Sequence, residues 1–227
     1  MIEMIDVCKS YRTIGGRQII LKDVNALFAT GRRVGILGAN GAGKSTLIRL
    51  LAGVEPLNSG RISRQGRISF PLGFSGTFHP KLSGRENVLF LARIYGADVR
   101  RVLDFVGDFS ELGDYLNMPV ETYSSGMRAR LAFAACLAID FDVFLIDELI
   151  VVGDARFQAR CRAAFEDKLL SADVIMVTHS LSTIRAYCDC AAVLGNGQLA
   201  MFETLDGAIK AHLTAMRQLP QEASAVA

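Results

Sequence analysis

The chain has no apolar run approaching the roughly 18 residues that a membrane-spanning helix needs. Its longest candidates, such as Leu131 to Ile139, stop at charges, so a transmembrane segment is not expected. The first residues, Met1-Ile2-Glu3-Met4-Ile5-Asp6, carry acids and no basic region, which argues against a secretory signal and makes a cytoplasmic protein the default expectation. Cysteine is sparse: five residues, an odd number, with no CxxC pair. Cys188-Asp189-Cys190 lacks partners at metal-ligand spacing, so reduced structural thiols are expected. An excess of one charge is also missing. The net charge of +2 over 227 residues gives no argument for nucleic acid by itself. There is no internal repeat and no low-complexity block. What is present is a globular composition, 51% hydrophobic and 21% charged, long enough for one α/β domain with a large core.

Gly38-Ala39-Asn40-Gly41-Ala42-Gly43-Lys44-Ser45 fits the pattern G-x-x-x-x-G-K-[ST]. Glycines let the backbone curl so that successive N–H groups converge on an anion. Lys44 supplies a mobile charge for the β- and γ-phosphates, and Ser45 a hydroxyl for Mg²⁺. Arg33 to Leu37 reads as a buried strand before the loop. Thr46, Leu47, Ile48, Leu50 and Leu51 read as a helix after it, whose positive end favours phosphate.

Around this motif, Met4 to Tyr11 and Ile19 to Ala26 read as strands joined by a tight turn at Gly15-Gly16. The first helix ends at Gly53 and Pro56. A glycine- and aromatic-rich loop spans Pro71 to Pro80. Ser83 and Glu86 then have capping-box spacing, and helical periodicity runs to about Leu116. Val143 to Glu148 and Val174 to His179 read as buried strands, with closing strands at Ala191 to Leu194 and Gly197 to Phe202. Apolar strands alternating with helices imply a parallel sheet covered on both faces. Arg217 to Ala227 is expected to fray.

Polar residues just past apolar strands stand where such sheets bind ligands. Asp147 is placed to hold Mg²⁺ opposite Ser45, and Glu148 to polarise an attacking water. His179 ends the next strand. It is suited to the γ-phosphate or to holding the water, the alternative being a structural histidine. Ser124-Ser125-Gly126-Met127 opens a helix and, taken alone, is an N-cap.

Together these segments resemble the nucleotide-binding subunits of ABC transporters, from about Ile5 to Leu205. Gly38 to Ser45 matches the Walker A loop, and Val143 to Glu148 matches Walker B with its glutamate. Ser124 to Met127 is similar to the signature sequence, Gly153-Asp154 to the D-loop, and His179 to the switch histidine. Tyr11 stands where the family places an aromatic that stacks on adenine. The resemblance implies a P-loop NTPase core with a mixed, mainly parallel sheet, an antiparallel N-terminal β region and a helical insert at about 74–140. A single domain would cover 1–215, followed by a tail at 216–227. It implies ATP and Mg²⁺ as ligands, with Ala39, Asn40, Gly41, Ala42, Gly43, Lys44, Ser45 and Thr46 around the phosphates. It further implies a head-to-tail homodimer in which Ser125 and Gly126 of one copy cover ATP on the other, and an integral membrane permease as partner. An ATPase at the cytoplasmic face of the inner membrane follows, with no nucleic acid partner.

Two departures stand out. No glutamine occurs in Leu72 to Pro80, where the family has one; Phe74, Ser75 and His79 are nearest, and His79 is either a polar substitute or a loop residue. Residues 123–134, 78–87 and 147–157 resemble subunits that export cell-surface polysaccharides, and the little that follows Leu205 favours the capsular type over O-antigen or teichoic-acid exporters. Periplasmic and outer-membrane export components would then be indirect partners. Phe74 to Pro80 is the expected docking surface for the permease. The rival readings are a soluble ABC ATPase and a non-catalytic nucleotide-gated module.

Overall fold

Ile2, Met4 and Val7 are buried on the first strand and Leu21, Val24 and Phe28 on the second; the three-residue steps from Met4 to Val7 and from Leu21 to Val24 fall at bulges, where Asp6 and Asp23 each adopt φ 47°. In the computed structural model, which describes residues 1–72, 76–147, 155–178 and 180–218, these become β1 (Ile2–Thr13) and β2 (Gly16–Phe28). The remaining strands are β3 (Arg33–Leu37), β4 (Ser59–Arg64), β5 (Val143–Asp147), β6 (Asp173–Val177), β7 (Cys190–Gly195) and β8 (Gln198–Phe202). The helices are α1 (Lys44–Ala52), α2 (Gly84–Ile94), α3 (Val99–Ser110), α4 (Ser125–Ala138), α5 (Ala155–Leu169), α6 (Leu181–Tyr187) and α7 (Leu205–Gln218). They fall into two units, one comprising Met1–Arg64 with the described residues from Ile175 onward, the other Gln65–Val174.

In the first unit, β1 pairs antiparallel with β2 down to Thr13↔Gly16, so the hairpin turn falls at Ile14-Gly15. β4 takes the other edge of β1. Within a second, five-stranded sheet, β6, β3, β7 and β8 are neighbours in that order, with β3 and β7 parallel and β7 and β8 antiparallel. Asn196 and Gly197 turn between the last two strands at φ 50° and 77°, the left-handed pair that a two-residue hairpin favours. α7 packs on β7 and β3 and continues through Gln218, so the first residues of the expected tail are helical. Residues 219–227 lie outside the described residues.

The second unit carries the helical insert. Ser83 and Glu86 form the expected capping box: Glu86 N donates to Ser83 Oγ at 3.1 Å and Ser83 N to Glu86 Oε2 at 2.8 Å. The helical periodicity does not continue unbroken to Leu116. Gly96 turns the chain at φ 62°, and Asp98 caps a new helix by accepting from Arg101 N at 2.9 Å. α3 ends at Glu111 in the left-handed region, and Gly113–Asn117 is a separate 3₁₀ turn. The core is aromatic. Phe144, Phe157 and Phe165 are fully buried, each contributing about 2–3 kcal/mol by area. Rings link through Phe109–Phe133, Phe133–Phe165, Phe165–Phe144 and Phe144–Phe141 at centroid separations of 5.7 to 6.4 Å. All five cysteines are free thiols, four of them buried.

Candidate functional site

The phosphate loop is built between β3 and α1. Val34, Ile36 and Leu37 are buried, which fixes the strand, and Gly38 follows at its end. A Cβ on Gly38 would lie 2.5 Å from the Leu194 carbonyl oxygen on β7, so only glycine lets the chain leave the sheet here. Gly43 occupies the N-cap position of α1 at φ 99°, and a Cβ there would sit 2.4 Å from Ile20 Cγ2. Between them Ala42 N donates to Ala39 O at 3.2 Å, closing a turn.

α1 begins without a side-chain cap and without an acidic residue in its first turn. Its positive end therefore has no side-chain acceptor from Gly43, the state that suits an incoming anion. Lys44 is 7% exposed, and its Nζ donates to Gly38 O at 2.8 Å and Ala39 O at 2.9 Å, folding the charge back over the loop. Asn40, Gly41 and Ser45 are exposed at the loop surface. A glycine-shaped cradle, an inward ammonium and an uncapped helix start fit a polyphosphate.

Thr46 is buried, and its hydroxyl accepts from Arg49 Nη2 at 3.0 Å. That contact ties the loop to a network around Tyr11. The Tyr11 hydroxyl lies 3.5 Å from Thr46 Oγ1 and donates a short hydrogen bond to Glu55 Oε1. Lys9 Nζ pairs with Glu55 Oε1 at 2.8 Å and stands 4.8 Å from the Tyr11 ring centroid. Arg49 Nε meets Glu55 Oε2 at 2.8 Å. Burial pushes the Glu55 carboxyl upward, but hydrogen bonds from Lys9, Tyr11 and Arg49 outweigh it and hold the group down at about 2. The sequence signalled Tyr11 but not Lys9, Arg49 or Glu55. Lys9 shares a strand face with Tyr11 by its i, i+2 spacing; Glu55 has no local signal.

The second unit holds Asp147, Ser125, Gly126 and His79. Asp147 ends β5, half-buried, and its N–H donates to Leu72 O at 3.0 Å. Leu72 N returns the pairing to Leu145 O at 3.0 Å, and Leu145 N donates to the Ser69 hydroxyl at 2.9 Å, so the strand end is clamped by the segment before the insert. Ser125 and Gly126 open α4, both exposed, whereas the cap itself is Ser124, whose Oγ accepts from Met127 N at 3.2 Å. A serine hydroxyl and an aspartate carboxylate are hard oxygen donors, the chemistry Mg²⁺ requires. His79 is exposed; its N–H donates to buried Asn87 Oδ1 at 2.7 Å and its carbonyl accepts from Asn87 Nδ2 at 3.1 Å. Phe78 is half-buried. Phe74, Ser75, Glu148, Gly153, Asp154 and His179 lie outside the described residues.

A family model described as ABC transporter matches residues 21–151, more than half of the chain. The chain belongs to the ABC transporter family. Among curated members of the family, the ATP-binding protein BexA of Haemophilus influenzae is 50% identical over 208 residues, covering 92% of this chain and 96% of that one. The capsule polysaccharide export ATP-binding protein CtrD of Neisseria meningitidis serogroup B is 49% identical over the same shares. The fold is that of the family's solved cassettes: the structure of an ATP-binding subunit of an ABC transporter superposes with a TM-score of 0.77 at 22% identity, covering 96% of this chain and all of the other. Among the described residues, no helix of this family member is long and apolar enough to cross a membrane.

Proposed function

We propose that this chain is the ATP-hydrolysing subunit of an ABC transporter that exports a capsular polysaccharide. The observation that carries it is the Lys44-closed loop at the uncapped start of α1, in a chain half identical to ATP-binding proteins of which one is named for capsule export. Backbone N–H groups of Gly38 to Thr46 and the Lys44 ammonium bind the phosphates, and the Tyr11 ring stacks on adenine. Ser45 and Asp147 hold Mg²⁺, which when bound neutralises charge on the phosphates. Glu148 orients the attacking water and accepts its proton, and His179 hydrogen-bonds the γ-phosphate or holds that water against Glu148.

The working unit is a head-to-tail homodimer of single nucleotide-binding domains, each spanning 1–215. Ser125 and Gly126 of one copy complete the site of the other by offering a hydroxyl and backbone N–H groups to the γ-phosphate. Closing and reopening act on an integral membrane permease through the helical insert at 74–140, with Phe74 to Pro80 as the docking surface. The chain then sits peripherally at the cytoplasmic face of the inner membrane, and periplasmic and outer-membrane components are reached only through the permease. Deleting the gene and restoring it in wild-type form or as Lys44→Ala tests the cargo class. Surface capsule is expected to vanish on deletion and return only with the wild-type chain. Unchanged capsule after deletion contradicts the proposal.

A further inference from the structure

The network beside the phosphate loop has more donors than charge balance requires. Lys9 alone neutralises Glu55, and its ammonium also donates to Pro56 O at 2.8 Å. Glu55 nevertheless takes two further donors, and each leads to the nucleotide site. Tyr11 donates through its hydroxyl to Oε1. Arg49 donates through Nε to Oε2 at 2.8 Å, while the same guanidinium reaches Thr46 Oγ1 at 3.0 Å. An ionised carboxylate is acceptor-only with room for several donors, so it fixes the tyrosine hydroxyl as a donor pointing one way. With the carboxyl held down at about 2, that state persists across the physiological range.

A strand tyrosine keeps two soft torsions, and the strand alone does not set the tilt of its ring. Here the tip of the ring is tied to Glu55, and the Lys9 ammonium stands 4.8 Å from the ring centroid. Glu55 lies just past the end of α1, the helix whose start binds phosphate, so the ring is referenced to the same helix as the phosphate loop. Ordering the ring before binding lowers the entropy cost of recognising a base.

We propose that Glu55 is a positioning residue for the nucleotide base: by holding the Tyr11 hydroxyl it sets the ring's tilt and its spacing from the phosphate-binding end of α1. This rests on Tyr11 being the adenine platform. It acts on the base and not on the phosphates, which separates it from a general structural role.

Two probes divide these contributions in the purified full-length chain by calorimetric titration: ATP, and inorganic tripolyphosphate, which has the phosphates without the base. Tyr11→Phe is expected to weaken ATP binding about fivefold, the loss of roughly one hydrogen bond, with tripolyphosphate affinity unchanged, and Glu55→Gln, which keeps an amide oxygen but not the charge, to weaken ATP binding by less. Combining them adds little beyond Tyr11→Phe, because both act on the same contact. Tyr11→Phe keeps the ring and the Lys9–Glu55–Arg49 ion pairs, so it decides the matter even where Glu55→Gln folds poorly. Wild-type ATP affinity in Tyr11→Phe, or equal weakening of both probes, overturns the proposal. Tyr11→Ala at wild-type ATP affinity removes the platform reading and Glu55's role with it. Lys44→Ala reports separately on the phosphate loop, and is expected to weaken both probes.

Discussion

Lys44 Nζ donates to the carbonyl oxygens of Gly38 and Ala39 at 2.8 and 2.9 Å, so the loop is closed by the lysine that ends it. The same ammonium is the charge offered to phosphate. Lys44→Ala removes both contributions, and ATP affinity is expected to fall at least about tenfold, the effect of a single charge-assisted hydrogen bond. Titration with ATP checks this; unchanged affinity contradicts the role given to the loop.

The two glycine environments in this chain predict opposite outcomes for the same substitution. Gly43 combines φ 99° with a Cβ position 2.4 Å from Ile20 Cγ2, and Ile20 is itself buried. Gly43→Ala is expected to cost about 1–3 kcal/mol and to lower the melting temperature by several degrees. Gly107 lies inside α3 and a Cβ there meets nothing within 4 Å. Gly107→Ala is expected to stabilise by about 0.5–1 kcal/mol through helix propensity. Thermal melts of the two variants compare them directly, and equal shifts of one sign contradict the assignment.

Glu55 gives a pH dependence with a definite sign. Folding lowers its carboxyl from an ordinary 4.5 to about 2, so the folded state favours the ionised form. Its stabilisation is therefore complete above the unfolded value of 4.5 and is lost as pH falls from there toward about 2. The stability difference between wild type and Glu55→Gln, from urea melts, is expected to be flat near neutrality and to shrink across that acid window. A difference that stays constant throughout the window contradicts the network.

Much of this was legible in the residues. The phosphate loop has a fixed pattern because its backbone demands glycine at set places, and β3 and α1 follow from uniform apolar burial on either side. The capping box at Ser83 and Glu86 is local and so was visible. The break at Gly96 was not, because the apolar periodicity of α2 and α3 continues in phase across it; only the left-handed turn and the Asp98 cap show where one helix ends. α7 has only a short signal in the sequence, the helical spacing of Leu205, Ala208, Ile209 and His212. The Glu55 network was invisible because its members lie on β1, on α1 and just past α1, and only the fold brings them together.

The paired serines at the start of α4 have separable tasks. Ser124 supplies the cap through its bond with Met127 N at 3.2 Å, while Ser125 is exposed in the first turn. Ser124→Ala is expected to cost about 1 kcal/mol of stability. Ser125→Ala leaves the melting temperature near wild type but lowers ATP turnover, since its proposed contact is with nucleotide on a second copy. Melting and phosphate-release assays on both variants distinguish these tasks; a stability loss confined to Ser125→Ala contradicts the division.

Catalysis by Glu148 is read out in steady-state phosphate release from ATP by Glu148→Gln, beside the wild-type chain with its membrane partner. The variant is expected to bind ATP, favour the closed dimer and lose turnover. Turnover equal to wild type contradicts that role.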